Sequence, residues 1–289
     1  MTAPATALTR APADILYRPR GRFRSNHVGA HPSSEVGGFG VFRDQTPFLR
    51  HPDARRIDLR ATLRDPFGET HVRRFEQRSA LDLYALVDLS ASMGFVGAVD
   101  RFAVACEICA ALAFSTTRIG DRFGLIAGSD VLRESLFLPA SRMRSAALDA
   151  VERLRHERPA GAGAQSLIQG AARLGAGRKL VLLISDFRWP KPMIECVFDA
   201  LALHDVMPVV LVDSVELDPP RWGLLELQDA ETGRRRLMVM RPSLRQRWIA
   251  TESTRRQHLT HLAAARARAP IFIEDRFDPH ALSLRLMAA

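Results

Sequence analysis

The chain contains few cysteines and almost no lysine. Its three cysteines are too few and too unevenly spaced for a disulfide framework. Cys106 and Cys109 form a Cys-x-x-Cys pair inside an apolar helical run, so we expect buried core thiols rather than a redox or zinc pair. Lysine occurs only at positions 179 and 191, so arginine carries nearly all of the positive charge.

Long apolar runs and targeting signals are also missing. The longest apolar stretches, 102–114 (interrupted by Glu107) and 206–212, fall short of the roughly 20 residues that span a bilayer. The first residues are rich in Ala, Pro and Thr and lack the basic start and apolar stretch of a secretory signal. These features predict a soluble, cytoplasmic protein without a membrane span.

The formal net charge of +9 allows three interpretations. The arginines are scattered through predicted strands and helices, with Arg234–Arg236 as a single triplet. A solvated basic surface is the simplest interpretation, and an acidic protein partner is the next. Nucleic acid comes last, because basic residues interleaved with stacking aromatics and recognised nucleic-acid motifs are missing.

The first 78 residues differ in pattern from the rest. We expect 1–14 to be disordered, because this segment cannot bury enough apolar surface to offset its ordering entropy. Residues 15–54 read as irregular. From 55 to 78, apolar residues alternate with polar ones, which predicts a β-hairpin. Asp58 within it reads as an ordinary strand charge paired with Arg56 or Arg60.

Residues 79–289 predict an α/β domain. Buried apolar strands at 81–88, 179–186 and 206–212 are separated by helical segments, which is typical of a mostly parallel sheet covered by helices on both faces. A strand at 270–275 completes the sheet, and an inserted hairpin is expected at 223–241.

Two of these strands end in polar residues that are suited to one site. The first runs into Asp88-Leu-Ser90-Ala-Ser92, and the second ends in Ser185-Asp186. Ligands bind beyond the carboxyl ends of strands in open parallel sheets. Carboxylates and hydroxyls are hard oxygen donors, which favour magnesium or manganese over zinc. The alternative is that Asp88 and the serines cap the following helix, but capping does not explain Asp186.

The chain resembles the bacterial family called domain of unknown function 58, a von Willebrand factor A-like group, and within it the MxaS subgroup associated with methanol oxidation. The resemblance covers about 18–285 and rests on RRIDLRATLRDPFG, VDLSASM, LLISDF and the late hairpin and helix. It implies a metal ion-dependent adhesion site holding Mg²⁺, Mn²⁺ or Ca²⁺. Asp88, Ser90, Ser92 and Asp186 match the motif. The hydroxyls would bind metal directly, the carboxylates commonly through water, and a partner's Asp or Glu would complete the shell.

The chain departs from the family pattern at one position. The family usually has a threonine in a Gly-Gly-Thr-x-Leu loop, whereas this chain has Gly161-Ala-Gly-Ala-Gln165-Ser166-Leu167. Gln165 aligns with the threonine and offers an amide oxygen. Ser166 takes its place if the register slips by one residue.

The resemblance implies a non-enzymatic interaction or assembly factor that acts with a MoxR-type AAA+ ATPase, in the maturation of a methanol-oxidation dehydrogenase. The alternative is a metal-dependent hydrolase or phosphatase that uses the same Asp and Ser residues. No His or Lys lies close in sequence to either loop as a general base, and Ser90 occupies the place where an aspartyl phosphatase has its second Asp.

Overall fold

A computed structural model of the chain describes residues 13–21, 23, 28–37, 41–230 and 233–288. The segment predicted as disordered, 1–14, falls outside the described residues except for its last two positions. The chain divides into two compact units. One contains Gly21–Leu81, and the other joins Met1–Arg20 to Asp82–Ala289.

The larger unit alternates strands and helices along most of its length. Its strands are β4 (Asp82–Asp88), β5 (Arg122–Gly128), β6 (Leu138–Ser141), β7 (Leu180–Ser185), β8 (Asp205–Val212), β9 (Gly223–Gln228), β10 (Arg235–Met240) and β11 (Ile271–Glu274). Its helices are α2 (Arg101–Ile119), α3 (Arg144–Arg155), α4 (Gln165–Ala171), α5 (Lys191–Ala200), α6 (Ser214–Leu217), α7 (Pro242–Arg266) and α8 (Pro279–Met287).

The central sheet has the strand order β11-β8-β7-β4-β5-β6. All neighbours in it are parallel except β5 and β6, which pair antiparallel at one edge. The predicted α/β class with a mostly parallel sheet is therefore confirmed. In parallel strands the carboxyl ends lie at one edge, so β4, β7 and β8 all end on the same side. Within 223–241, β9 and β10 pair antiparallel as a separate hairpin.

The core lies on both faces of this sheet, because side chains alternate along each strand. Tyr84 and Leu86 of β4 share one buried cluster with residues of α4, α5 and α7. Leu83, Ala85 and Val87, which point the other way, are also fully buried. Helix α2 contacts β4, β5 and β8. Burial on both sides explains why these strands read as continuous apolar runs.

Helix α2 lies largely inside this core. Cys106 and Cys109 are free, buried thiols, as the sequence predicts. Burial raises the pKa of the Cys106 thiol to about 12. By length and composition, the 19 residues of α2 are also enough to cross a membrane. However, 67% of that apolar window is buried inside the fold, which is equally typical of a core helix.

The smaller unit is built on an antiparallel sheet of order β1-β3-β2. Its strands are β1 (Val28–Gly37), β2 (Val41–Pro47) and β3 (His71–Ser79), and its helix is α1 (Leu59–Arg64). The predicted hairpin at 55–78 is wrong in its first half, since 59–64 is helical. The reason is Asp58, whose carboxylate accepts hydrogen bonds from the Arg60 and Ala61 amides and caps the helix. Asp58 is also paired with Arg73, not with Arg56 or Arg60.

Candidate functional site

Asp88 ends β4 at the carboxyl edge of the central sheet, and its side chain is fully buried. One carboxylate oxygen accepts a hydrogen bond from the Ser90 amide at 2.7 Å. The other accepts one from the Ser185 hydroxyl at 2.7 Å. Ser185 is the last residue of β7, the strand next to β4. Asp88 therefore ties its own loop to the neighbouring strand end.

The serines of the loop bring two hydroxyls together. Ser90 is fully buried, and its Oγ lies 3.2 Å from Oγ of the half-buried Ser92. Neither serine caps the following helix. Helix α2 begins at Arg101, and its capping carboxylate is that of Asp100, which accepts a hydrogen bond from the Ala103 amide. The capping alternative is thus wrong for this loop.

The segment 160–166 lies against the same loop. The Ala160 amide donates to the Leu89 carbonyl at 2.7 Å, and the Ala91 amide donates to the Gly161 carbonyl at 3.0 Å. Ser166 is fully buried, and within the described residues its hydroxyl has no hydrogen-bond partner. Gln165 is exposed. Of the two candidates in this segment, the structure therefore places Ser166 in the buried layer and Gln165 at the surface.

Asp186 follows β7, and 1% of its surface is exposed. Its Oδ1 accepts the Arg188 amide at 3.1 Å. Its Oδ2 lies 2.7 Å from Nη1 of Arg101, whose side chain is 2% exposed. The same Nη1 donates to the Ser92 carbonyl at 2.9 Å, and Nη2 donates to Glu216. Arg101 thus joins the Asp-x-Ser-x-Ser loop to the end of β7.

A third strand of the sheet, β8, also ends in a buried aspartate. Asp213 accepts hydrogen bonds from the Val215 amide at 2.9 Å and the Ala98 amide at 3.1 Å. Its carboxylate therefore holds the loop that leads into α2. Sequence reasoning missed Arg101, Glu216 and Asp213. For Asp213 a signal existed, because it follows an apolar strand in the same way as Asp88.

The electrostatics of the site are dominated by buried carboxylates. Burial, and next the negative charge of Asp186, raise the pKa of Asp88 above its ordinary value, against weaker lowering by hydrogen bonds from Ser185 and Ser90. The groups that donate to Asp88 are neutral, whereas Asp186 contacts a guanidinium. A cation placed near Asp88 would therefore offset charge that the protein itself leaves uncompensated.

These residues fit a hard divalent cation. Among the described residues no group of three or more His, Cys, Asp or Glu forms a metal cluster. The candidate set instead combines two carboxylates with serine hydroxyls, which are oxygen donors of the kind that Mg²⁺ and Mn²⁺ prefer. The unpartnered hydroxyl of Ser166 supports the fit, because a buried polar group without a partner is costly unless a ligand satisfies it.

Comparisons with known proteins identify a family and several relatives. The family model described as "Protein of unknown function DUF58" matches residues 49–258. An uncharacterized protein of Mycobacterium tuberculosis is 25% identical over 246 residues, which cover 83% of this chain and 75% of that protein. An "uncharacterized protein in moxR 3'region" of Paracoccus denitrificans is 38% identical over 101 residues, covering 33% of this chain and 92% of that protein. Among solved structures, BatB from Bacteroides thetaiotaomicron is similar, with 14% identity and a TM-score of 0.43 over 72% of this chain and 97% of that chain.

Proposed function

The chain belongs to the DUF58 family, and from that premise we propose that it is a non-enzymatic docking protein with a von Willebrand factor A-like domain. Its site at the carboxyl edge of the sheet, here called the strand-end site, binds a divalent cation, Mg²⁺ or a similar ion. The site is formed by Asp88, Ser90, Ser92, Ser166 and Asp186. The bound ion accepts an acidic side chain of a partner protein. By its resemblance to the MxaS subgroup, the chain serves the maturation of a methanol-oxidation dehydrogenase.

One observation carries this proposal. Oxygen donors from separate segments lie at the carboxyl edge of the sheet, and one of them, the buried hydroxyl of Ser166, has no partner within the described residues. Ser90 and Ser92 add two adjacent hydroxyls. Asp88 and Asp186 add two buried carboxylates. Packing alone does not explain five polar side chains at this edge, whereas a hard cation that prefers oxygen ligands does.

The chain's own residues prepare the site. The hydrogen bonds from Ser185 and the Ser90 amide fix the carboxylate of Asp88. The Gly161 carbonyl accepts the Ala91 amide and so aligns the two loops. When bound, the metal supplies a localised positive charge with a coordination position that a partner carboxylate fills. Selectivity for acidic partners follows from that charge.

We propose a MoxR-type AAA+ ATPase as the partner. A relative that is 38% identical over 101 residues carries a name that places it in a moxR 3' region, which supports an association between the two genes. The net charge of +9 suits an acidic partner surface, because complementary charge speeds encounter and fixes orientation.

The test is a binding measurement with a purified MoxR-type AAA+ ATPase from the same genome. Wild-type protein is compared in Mg²⁺ and in EDTA, together with Asp88→Ala and the control Asp199→Ala. Asp199 is an exposed carboxylate on α5 that pairs with Arg266 on the surface. We expect binding by wild type and the control in Mg²⁺, and its loss in EDTA and in Asp88→Ala. Binding that survives both EDTA and Asp88→Ala contradicts the proposal. Thermal melting checks that each variant folds.

A metal-dependent hydrolase is the second candidate, and one observation favours it. Burial and the neighbouring charge of Asp186 raise the pKa of Asp88 toward the range that suits a general base at neutral pH. Against this, the carboxylate is fully buried, and both of its oxygens already accept hydrogen bonds. We expect no Mg²⁺-dependent turnover of p-nitrophenyl phosphate. Turnover that disappears in Asp88→Asn would favour the hydrolase instead.

A further inference from the structure

Arg101 is a cation that the protein itself inserts beside the candidate metal site. Its guanidinium contacts the Asp186 carboxylate at 2.7 Å and the Ser92 carbonyl at 2.9 Å. The side chain is 2% exposed, so bulk water does little to screen this charge. Asp186 and Ser92 are two of the residues that the motif assigns to the metal.

The hydrogen-bonding capacity of the Arg101 side chain is not fully satisfied. Within the described residues, the buried Nε of Arg101 has no hydrogen-bond partner. A buried N–H without a partner is destabilising. Nη2 is held from the other side by Glu216, which also pairs with Arg188 at 2.9 Å. The guanidinium is thus retained between two carboxylates despite an unsatisfied donor.

The charges at the carboxyl edge of the sheet determine how strongly a divalent cation is attracted to the site. Of the two carboxylates that the motif assigns to the metal, Asp186 is neutralised by Arg101, whereas Asp88 accepts hydrogen bonds only from neutral groups. A divalent ion at the site gains attraction from Asp88 but is repelled by Arg101 at short range. Among these motif ligands, one uncompensated carboxylate does not balance the two positive charges of the ion, and a carboxylate added by a partner would close that difference.

We propose that Arg101 lowers the intrinsic affinity of the strand-end site for a divalent cation, so that the ion is held tightly only when a partner carboxylate joins the shell. This inference rests on the proposed function and adds its regulation: metal and partner bind together rather than in succession. A resting site would then hold its metal loosely, and the acidic partner would be required for stable occupancy.

The experiment measures the affinity of Mn²⁺ alone for the purified full chain by isothermal titration calorimetry. The variants are Arg101→Gln, which removes the charge, and the matched control Arg101→Lys, which keeps it. We expect Arg101→Gln to bind Mn²⁺ at least about tenfold more tightly than wild type, and Arg101→Lys to stay within about threefold of wild type. Equal or weaker binding by Arg101→Gln overturns the inference.

A second pair of variants keeps the inference testable if Arg101→Gln does not fold. Asp186→Asn leaves Arg101 with the Glu216 carboxylate but without its contact at the metal site, and we expect this variant to bind Mn²⁺ more weakly than wild type. Arg101→Met combined with Asp186→Asn removes both charges together, which a buried pair tolerates better than the loss of one partner. We expect the double variant to bind Mn²⁺ more tightly than Asp186→Asn alone. An equal or lower affinity overturns the inference.

The two proposals fail differently. Wild-type binding of Mn²⁺ that is lost in Asp88→Asn keeps the proposed function, whatever Arg101→Gln does. If Arg101→Gln binds Mn²⁺ and wild type does not, the result supports the role of Arg101 in lowering metal affinity. The docking function is then tested by whether the partner restores Mn²⁺ binding to wild type. Absence of Mn²⁺ binding in every variant overturns both proposals.

Discussion

The guanidinium of Arg101 and the carboxylate of Asp186 lie 2.7 Å apart, and each side chain is at most 2% exposed. Arg101 is the first residue of α2, and Asp186 follows β7, so this contact ties the beginning of a core helix to a strand end. Buried ion pairs of this kind are weak evidence for stability but impose one geometry. The candidate site therefore has a fixed counter-ion that the motif alone does not reveal.

Ser166→Ala distinguishes between Ser166 and Gln165 as metal ligands in the loop 161–167, where the chain departs from the family pattern. The buried hydroxyl has no partner within the described residues, so we expect its removal to leave the metal-free unfolding free energy unchanged or to raise it by about 1–3 kcal/mol. We expect the same variant to weaken Mn²⁺ binding several-fold. Gln165→Ala is the control, because that side chain is exposed. Calorimetric titration measures the Mn²⁺ affinity of both variants. A larger loss of affinity in Gln165→Ala would identify Gln165 as the metal ligand.

Gly97→Ala tests the approach of the Asp213 carboxylate to the loop before α2. A Cβ at position 97 would lie 2.4 Å from Asp213 Oδ2 and 2.6 Å from the ring of Phe95. Such overlap forces the carboxylate or the loop to shift, and we expect a loss of about 1–3 kcal/mol in unfolding free energy.

Gly94→Ala is the matched control for that substitution. A Cβ at position 94 meets Pro159 Cβ at 3.5 Å, an ordinary van der Waals distance. Urea denaturation of the two variants should separate them. Equal stability of Gly97→Ala and wild type would show that the Asp213 contacts are not needed to order the loop.

The positions of Asp88 and Asp186 could be predicted from sequence, because apolar strands that end in aspartate have one arrangement in a parallel sheet. Arg101 could not, because its role depends on a contact across 85 residues of chain. The sequence predicts a strand in place of α1 because Leu59 and Leu63 alternate with polar residues, although both leucines are exposed on a short helix. The N-terminal cap by Asp58 stabilises this segment as a helix instead.

Asp58 gives the smaller unit an acid-dependent stability. The hydrogen bond from Arg73, followed by the Ala61 amide, lowers the pKa of Asp58 to about 2. A carboxyl pKa lower in the folded than in the unfolded chain adds stability above the ordinary value of 3.8, and that stability is lost as pH falls toward 2. We expect urea midpoints between pH 4 and pH 2 to fall more steeply in wild type than in Asp58→Asn. Equal slopes in wild type and Asp58→Asn would contradict this role of Asp58.

Arg268 and Asp205 form a second buried ion pair, remote from the candidate site. Arg268 is 1% exposed, donates to both Asp205 oxygens, and also donates to the carbonyls of Leu286 and Arg18. Arg268→Met leaves a buried carboxylate without its cation, so we expect a loss of about 3–5 kcal/mol in unfolding free energy.

The matched control for Arg268→Met lies two residues earlier on the chain. Arg266 pairs with Asp199 at 2.7 Å, but these side chains are 34% and 62% exposed. Solvent screens such a pair, so Arg266→Ala should cost less than about 1 kcal/mol. Urea denaturation of both variants measures the difference. Similar losses in the two would mean that the Asp205 carboxylate finds water or a proton when Arg268 is removed, and that the buried pair contributes little to folding.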